Sequence, residues 1–116
     1  MELINYSTGS MIAKEVKQAH RFWPRFKGLM FTNSMPAGRA LHLAPCNSIH
    51  TFFMKYEIDV LYINKENEIV GIEECLKPGR LGSRFSGASS VIEFPAGAIN
   101  HLTAAVGHTV AFVEDI

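Results

Sequence analysis

The chain has 116 residues, 47% of them hydrophobic and 19% charged, and its eleven basic residues balance eleven acidic ones at a pI near 7.0. This length makes one domain, residues 1–116, able to bury roughly two-thirds of its unfolded surface. The charge balance gives no global field for nucleic acid or anionic lipid, so a nucleic-acid partner is not expected. Two cysteines, Cys46 and Cys75, are too few and too far apart for a disulfide framework or a zinc knuckle, although a single bridge between them stays open. The start lacks the basic and apolar segments of a signal peptide, and no run approaches the roughly 18 apolar residues of a spanning helix. The expectation is a cytoplasmic protein with no membrane insertion.

In chain order, residues 2–6 and 11–17 are short β-prone runs around Ser7 to Ser10, whose glycine and hydroxyls suit an opening hairpin; Met11 to Gln18 also has a helix-favouring composition. Pro24 allows a short helix to start, and there Arg25 and Lys27 stand among Trp23, Phe26 and Phe31. Basic groups among aromatic rings can grip an anion or a sugar, or simply lie in water over a core of rings. Residues 33–38 form a loop and residues 39–44 alternate as a strand. Asn64 to Asn67 is a polar turn that makes 58–63 and 68–76 an antiparallel pair. Residues 77–87, rich in glycine, serine and arginine, form a loop long enough to be functional. Residues 88–94 are the next strand, stopped by Pro95; residues 96–102 make one helical turn and 109–114 close the sheet. The sum is a mainly β fold: a compact antiparallel β-sandwich or partly open barrel with one or two short helices.

The segment from Pro45 to Ile63 carries the chemistry, because Cys46, His50, Lys55 and Asp59 interrupt the most apolar run in the chain. Read as strand, bend, strand, it places His50, Phe52 and Met54 on one face, Ile49, Thr51 and Phe53 on the other, and Asp59 with Leu61 and Ile63. Ionisable groups set there must reach water or be paired. His42, Cys46 and His50, at spacings of four, supply the residue types of a zinc site, and Cys46 with His50 and Asp59 those of a nucleophilic pair with an orienting acid. Equally, Asp59 can serve backbone N–H groups. Glu93 can pair with Arg80 or Arg84, or those arginines can cover a pocket and recognise a carboxylate or phosphate.

Gly28-Leu29-Met30, Ile49 to Met54, Ile58 to Ile63 and Ile92 to Gly97 together resemble the uncharacterised bacterial and archaeal family catalogued as domain of unknown function 192, over about residues 20 to 113. The resemblance implies a compact β-sandwich domain. Cys46 followed by Ile49-His50-Thr51, then Pro78 and Arg80, is similar to a subgroup often encoded near pilus or secretion genes. Phe31 and Thr32 stand where that family commonly has a basic residue, and Gly107-His108 where it commonly has Gly-Asp.

These readings converge on a small binding or accessory module for an unknown small ligand or protein partner. Its candidate contacts are Cys46, His50, Met54, Asp59, Arg80, Arg84 and Arg25, with no metal and no cofactor. The rivals are a hydrolase or acyl-transfer enzyme built on Cys46 and His50, with or without zinc, and a purely structural domain.

Overall fold

The run Ile58–Ile63 becomes a strand in which every residue is buried, and the rest of the chain is layered on its two faces. A computed structural model describes residues 1–20, 29 and 32–114; the helix expected near Pro24 and the candidate contact Arg25 lie outside them. Among the described residues there are eight strands and no helix: β1 (Glu2–Asn5), β2 (Met11–Ala13), β3 (Glu15–Ala19), β4 (Arg39–Leu43), β5 (Ile58–Ile63), β6 (Ile69–Leu76), β7 (Ser90–Pro95) and β8 (Val110–Val113). They form a three-stranded sheet, β2-β1-β8, and a five-stranded sheet, β3-β4-β7-β5-β6, with no closed barrel. Every pair is antiparallel except β3 with β4. The expected opening hairpin is β1–β2, and residues 11–17 divide into β2 and the start of β3, which crosses to the other sheet. Residues 96–102 are turns rather than helix.

Strand alternation sorts the large sheet's side chains into two cores. Leu61 and Ile63 of β5 and Ile92 and Phe94 of β7 face the small sheet, where they meet Leu3, Ala13 and Val110. Ile58, Val60 and Tyr62, with Leu41, Leu43 and Val91, face the opposite way, under loops that bring in Ile49 and Met54. Both faces of β5 and β7 are therefore covered, which is why their sequences are near-continuous apolar runs rather than alternating ones. At about 25 cal/mol per Å2 of apolar surface removed from water, each such side chain contributes roughly 1.5–3 kcal/mol.

The turns follow from their side chains. The β5–β6 turn closes because Asn64 Oδ1 accepts from the N–H groups of Glu66 (3.0 Å) and Glu68 (2.9 Å), while Asn67 takes the left-handed conformation at φ 61°. In the β1–β2 turn, buried Asn5 accepts from the Ser7 (3.0 Å) and Thr8 (3.3 Å) N–H groups, and Gly9 sits at φ 81°. The Asn5 amide in turn donates to the Thr103 carbonyl (2.9 Å) and to His108 Nδ1 (3.0 Å), which also accepts from the Ala105 N–H (3.2 Å). At position 108 an imidazole nitrogen thus receives two N–H donors, the service a carboxylate oxygen would give.

Asp59 is 0% exposed, and its carboxylate is held by backbone N–H groups. Oδ1 accepts from the Cys75 N–H at 2.8 Å, and Oδ2 from the Gly97 and Ile99 N–H groups, both at 2.9 Å. One carboxylate therefore ties β5 to the bulged end of β6, where Cys75 stands at φ 52°, and to the turn after β7. Asp59→Ala removes the shared acceptor from three N–H donors, and a loss of about 3–5 kcal/mol is expected in urea unfolding, against less than about 1 kcal/mol for exposed Glu66→Ala.

Candidate functional site

The segment expected to be a strand around His50, Phe52 and Met54 is instead a loop, and the reason is topological. β5 is flanked by β6 and β7, and β4 by β3 and β7, so no interior edge remains for it to join. It folds over the outer core and pairs with the 77–82 loop through one antiparallel bridge, His50 with Leu81. That bridge is flanked by hydrogen bonds from the Thr51 N–H to the Arg80 carbonyl (2.8 Å) and from the Gly82 N–H to the Ile49 carbonyl (2.9 Å). Thr51, 0% exposed, binds the two loops together. Its hydroxyl donates to the Lys77 carbonyl at 2.6 Å and accepts from the Arg80 N–H at 2.8 Å, and its carbonyl accepts from the Gly79 N–H at 2.9 Å.

The pairing sends three large apolar side chains outward: Phe53 is 67% exposed, Phe52 41% and Leu81 73%. Phe53 holds φ 64°, in the left-handed region that costs a bulky non-glycine residue roughly 1–2 kcal/mol. Around the bridge, His50 and Leu81 are a non-hydrogen-bonded pair, the closer kind, and the His50 ring stacks on Phe52 with centroids 5.1 Å apart. His50 Nδ1 accepts from the Phe52 N–H at 3.2 Å. Lys55, Lys77, Arg80 and Arg84 are exposed on the same two loops, as is Glu57.

Beneath this surface the loop is seated on a small aromatic base. The Tyr62 hydroxyl donates to Glu73 Oε1 at 2.5 Å, and Glu73 also accepts from the Ser83 N–H (3.0 Å) and hydroxyl (3.2 Å). Burial, followed by the bond to Glu73, pushes the Tyr62 phenol far up, so it remains a donor. Gly82 lies so close that a Cβ there would be 2.6 Å from Tyr62 Oη, and a Cβ at Gly71 would be 2.3 Å from the Phe85 ring. Glycine is required at both positions for close approach rather than for a positive φ.

Two buried ionisable groups face opposite cores. His42 is held between Gln18 Oε1 (2.6 Å) and the Ser90 hydroxyl (2.9 Å), and it stacks on Phe112 of the small sheet. Because the Gln18 oxygen only accepts, Nδ1 carries the proton and Nε2 accepts from Ser90. Burial first, and the neighbouring His20 second, lower its pKa from 6.5 to about 4. Glu93, on the loop-covered face, is buried, and among the described residues its Oε2 has no hydrogen-bond partner. Burial raises its pKa from 4.5 to about 8. It makes no ion pair with Arg80 or Arg84: among the described residues the one salt bridge joins the N-terminus to Glu15.

The candidate residues therefore separate. His50 and Arg80 come together at the paired loops, with Arg84 four residues along. Met54 is buried in the outer core and Asp59 is enclosed by backbone N–H groups. Cys46, half-buried, donates its thiol to the Ser48 carbonyl (3.0 Å) and lines a shallow hollow of about 310 Å3 with Pro45, Asn47, Ala88 and Ser89. His42 faces the small sheet while Cys46 belongs to the opposite core, so the trio His42, Cys46 and His50 is not assembled. Among the described residues no group of three His, Cys, Asp or Glu side chains is placed to hold a metal ion. Nor does Asp59 orient His50, since both its oxygens serve backbone N–H groups. Sequence reasoning missed Phe52, Phe53 and Leu81 as surface residues and Thr51 as the clamp. A large apolar residue set between a cation and a glycine in a basic loop, Leu81 between Arg80 and Gly82, was the available signal.

Fold and surface define a two-sheet, mainly β domain whose distinctive residues lie on loops covering one sheet face. The chain belongs to the family of domain of unknown function 192 (DUF192), described as "Uncharacterized ACR", whose model matches residues 4–112. It is 34% identical over 113 residues to a UPF0127 protein of Thermococcus sibiricus, covering 90% of this chain and 70% of that one. It is also 34% identical over 110 residues to a UPF0127 protein of Pyrococcus furiosus, covering 90% and 92%. A crystal structure of a protein of unknown function from Novosphingobium aromaticivorans shares the fold, with TM-score 0.81 at 14% identity, over 96% of this chain and 82% of that one.

Thr51→Val keeps the shape and removes the hydroxyl that serves Lys77 and Arg80. A loss of about 1–3 kcal/mol is expected, with faster amide exchange at Arg80 and Gly82 than in β5. The pH dependence has two arms. His42 stays neutral in the folded state while the unfolded chain takes up a proton, so stability falls as pH drops from 6.5 towards about 4. Glu93 keeps its proton in the folded state while the unfolded chain loses one, so stability falls as pH rises from 4.5 through about 8. Glu93→Gln abolishes the second arm, and its advantage over the parent in chemical denaturation is expected to be more than about 1 kcal/mol larger at pH near 8.5 than at pH near 5.

Proposed function

We propose that the protein is a binding module whose contact surface is the pair of loops 48–57 and 77–84. The observation that carries this is Phe53, a large apolar side chain 67% exposed on a backbone at φ 64°. The left-handed backbone costs folding free energy, and such strain is commonly held where a side chain must be presented to something else. The loops beneath are firmly held, by Thr51 on one side and by Tyr62, Glu73 and Ser83 on the other, as recognition surfaces on rigid scaffolds are. His50 contributes from within the bridge, Arg80 from beside it and Arg84 from the same loop. The occupant is macromolecular rather than a small ligand, because the apolar groups stand out from turns instead of lining a cavity. A role beside a pilus or secretion apparatus rests on subgroup resemblance alone.

Phe53→Gly relieves the backbone and removes the ring, so the variant is expected to be as stable as the parent or up to about 1 kcal/mol more stable. A loss of the roughly 3–5 kcal/mol typical of a core phenylalanine would count against a contact role. A photo-reactive residue at 52, 53 or 81, introduced in the protein's own cells, is expected to capture a partner molecule that the same probe at exposed Glu66 does not. Equal capture at all positions, or none at any, overturns the reading.

A further inference from the structure

We propose that the partner at the paired loops is the headgroup surface of an anionic lipid bilayer, with Phe52, Phe53 and Leu81 entering the interfacial region and the surrounding cations meeting lipid phosphates. This rests on the contact surface proposed above and assigns its occupant. The contact is peripheral and separate from any spanning segment: among the described residues no helix is long and apolar enough to cross a membrane.

Three observations favour a bilayer. The first is shape. The two phenylalanines occupy one turn and Leu81 the facing loop, and the His50–Leu81 bridge with the His50–Phe52 stack brings Leu81, His50 and Phe52 together, with Phe53 next in the chain. Exposed apolar side chains carried on loops suit a soft interface that needs no complementary hollow.

The second is area. From exposures of 41, 67 and 73%, the three side chains present on the order of 300 Å2 of surface, well below the roughly 800 Å2 per partner of a stable protein–protein interface. A bilayer accepts a contact of this size because adjoining charges add to it.

The third is charge. The whole chain is neutral, yet residues 50–57 and 77–84 carry Lys55, Lys77, Arg80 and Arg84 against Glu57, with the Glu73 carboxylate bonded to Ser83 from beneath, so cations still outnumber carboxylates there. Thr51, the neighbour of Phe52 in the chain, holds the backbone of Lys77 and Arg80, and Lys55 lies two residues beyond Phe53. Lys55 also donates to Asn33 Oδ1 at 3.0 Å, an exposed bond that water or a phosphate can replace. Neutral overall charge excludes long-range attraction, but a local basic rim acts at contact, within about a Debye length of 8–10 Å.

The full chain is incubated with sedimentable vesicles of phosphatidylcholine alone, or with a minority of phosphatidylglycerol. Sedimentation with the anionic vesicles only is expected, weakening by about tenfold or more in salt raised to about 0.5 M. Both a Phe52→Ser/Phe53→Ser variant and a Lys77→Ala/Arg80→Ala variant are expected to bind about tenfold or more weakly, with unchanged circular dichroism. Should the double phenylalanine variant misfold, Leu81→Ser, in a loop residue 73% exposed, makes the same test. The assignment is overturned by absence of sedimentation with either vesicle. It is equally overturned by anionic binding that removal of the apolar side chains leaves intact, since that is charge adsorption only. Photo-capture of a protein from position 53 by a chain that ignores vesicles overturns the lipid assignment and leaves the contact surface standing; absence of capture at 52, 53 and 81 removes both.

Discussion

A carboxylate at the centre of an all-β domain must be surrounded by donors, because an unpaired charge there costs more than most of the domain's net stability. Asp59 meets this condition with three backbone N–H groups, from Cys75, Gly97 and Ile99. These groups belong to chain segments 16 to 40 residues distant, so the requirement is satisfied only when β6 has bulged and the turn after β7 has closed. Burial of β5 between two cores depends on it: the carboxylate converts a polar interruption of the most apolar run into the point where three segments meet. The same group is thereby withdrawn from any site chemistry.

The two faces of the large sheet serve different ends. The face towards the small sheet is filled by regular strand packing, and His42 is accommodated there as a neutral hydrogen-bonding ring between Gln18 and Ser90. The other face is covered by loops, which have no periodic ladder to satisfy their backbone groups and so use side chains instead. Thr51 performs that service for Lys77 and Arg80, and Glu73 for Ser83. Well-tethered loops can carry exposed apolar side chains, and Phe52, Phe53 and Leu81 are exposed there. Glu93 lies under the same covering, and its buried, protonated carboxyl opposes His42 in pH dependence: the two effects cancel where their ranges overlap, between pH 4.5 and 6.5, and stability falls on either side.

Much of the architecture was legible in the chain. The turn at Asn64 to Asn67, the stop at Pro95, the β5–β6 pair and the two-sheet, mainly β fold follow from turn chemistry and short apolar runs, which act over a few residues. The placement of Asp59 with Leu61 and Ile63, and its service to backbone N–H groups, also followed from strand alternation and the cost of burying charge. What alternation could not decide was whether residues 49–54 had a sheet edge to join. Their apolar pattern fits a strand, but strand order had already flanked β4 and β5 on both sides, and strand order is a property of long-range pairing.

The sequence by itself determined the mainly β class, the neutrality of the whole, the candidate residues and the family likeness, because these depend on local propensity, composition and motif. Only the tertiary structure decided which candidates meet. It paired His50 with Leu81, separated His42 from Cys46, enclosed Asp59 and Glu93, and turned Phe52 and Phe53 outward. The physical reason is that exposure and partnership are set by segments remote in sequence. A phenylalanine in an apolar run reads as core until the chain around it has filled the core with something else.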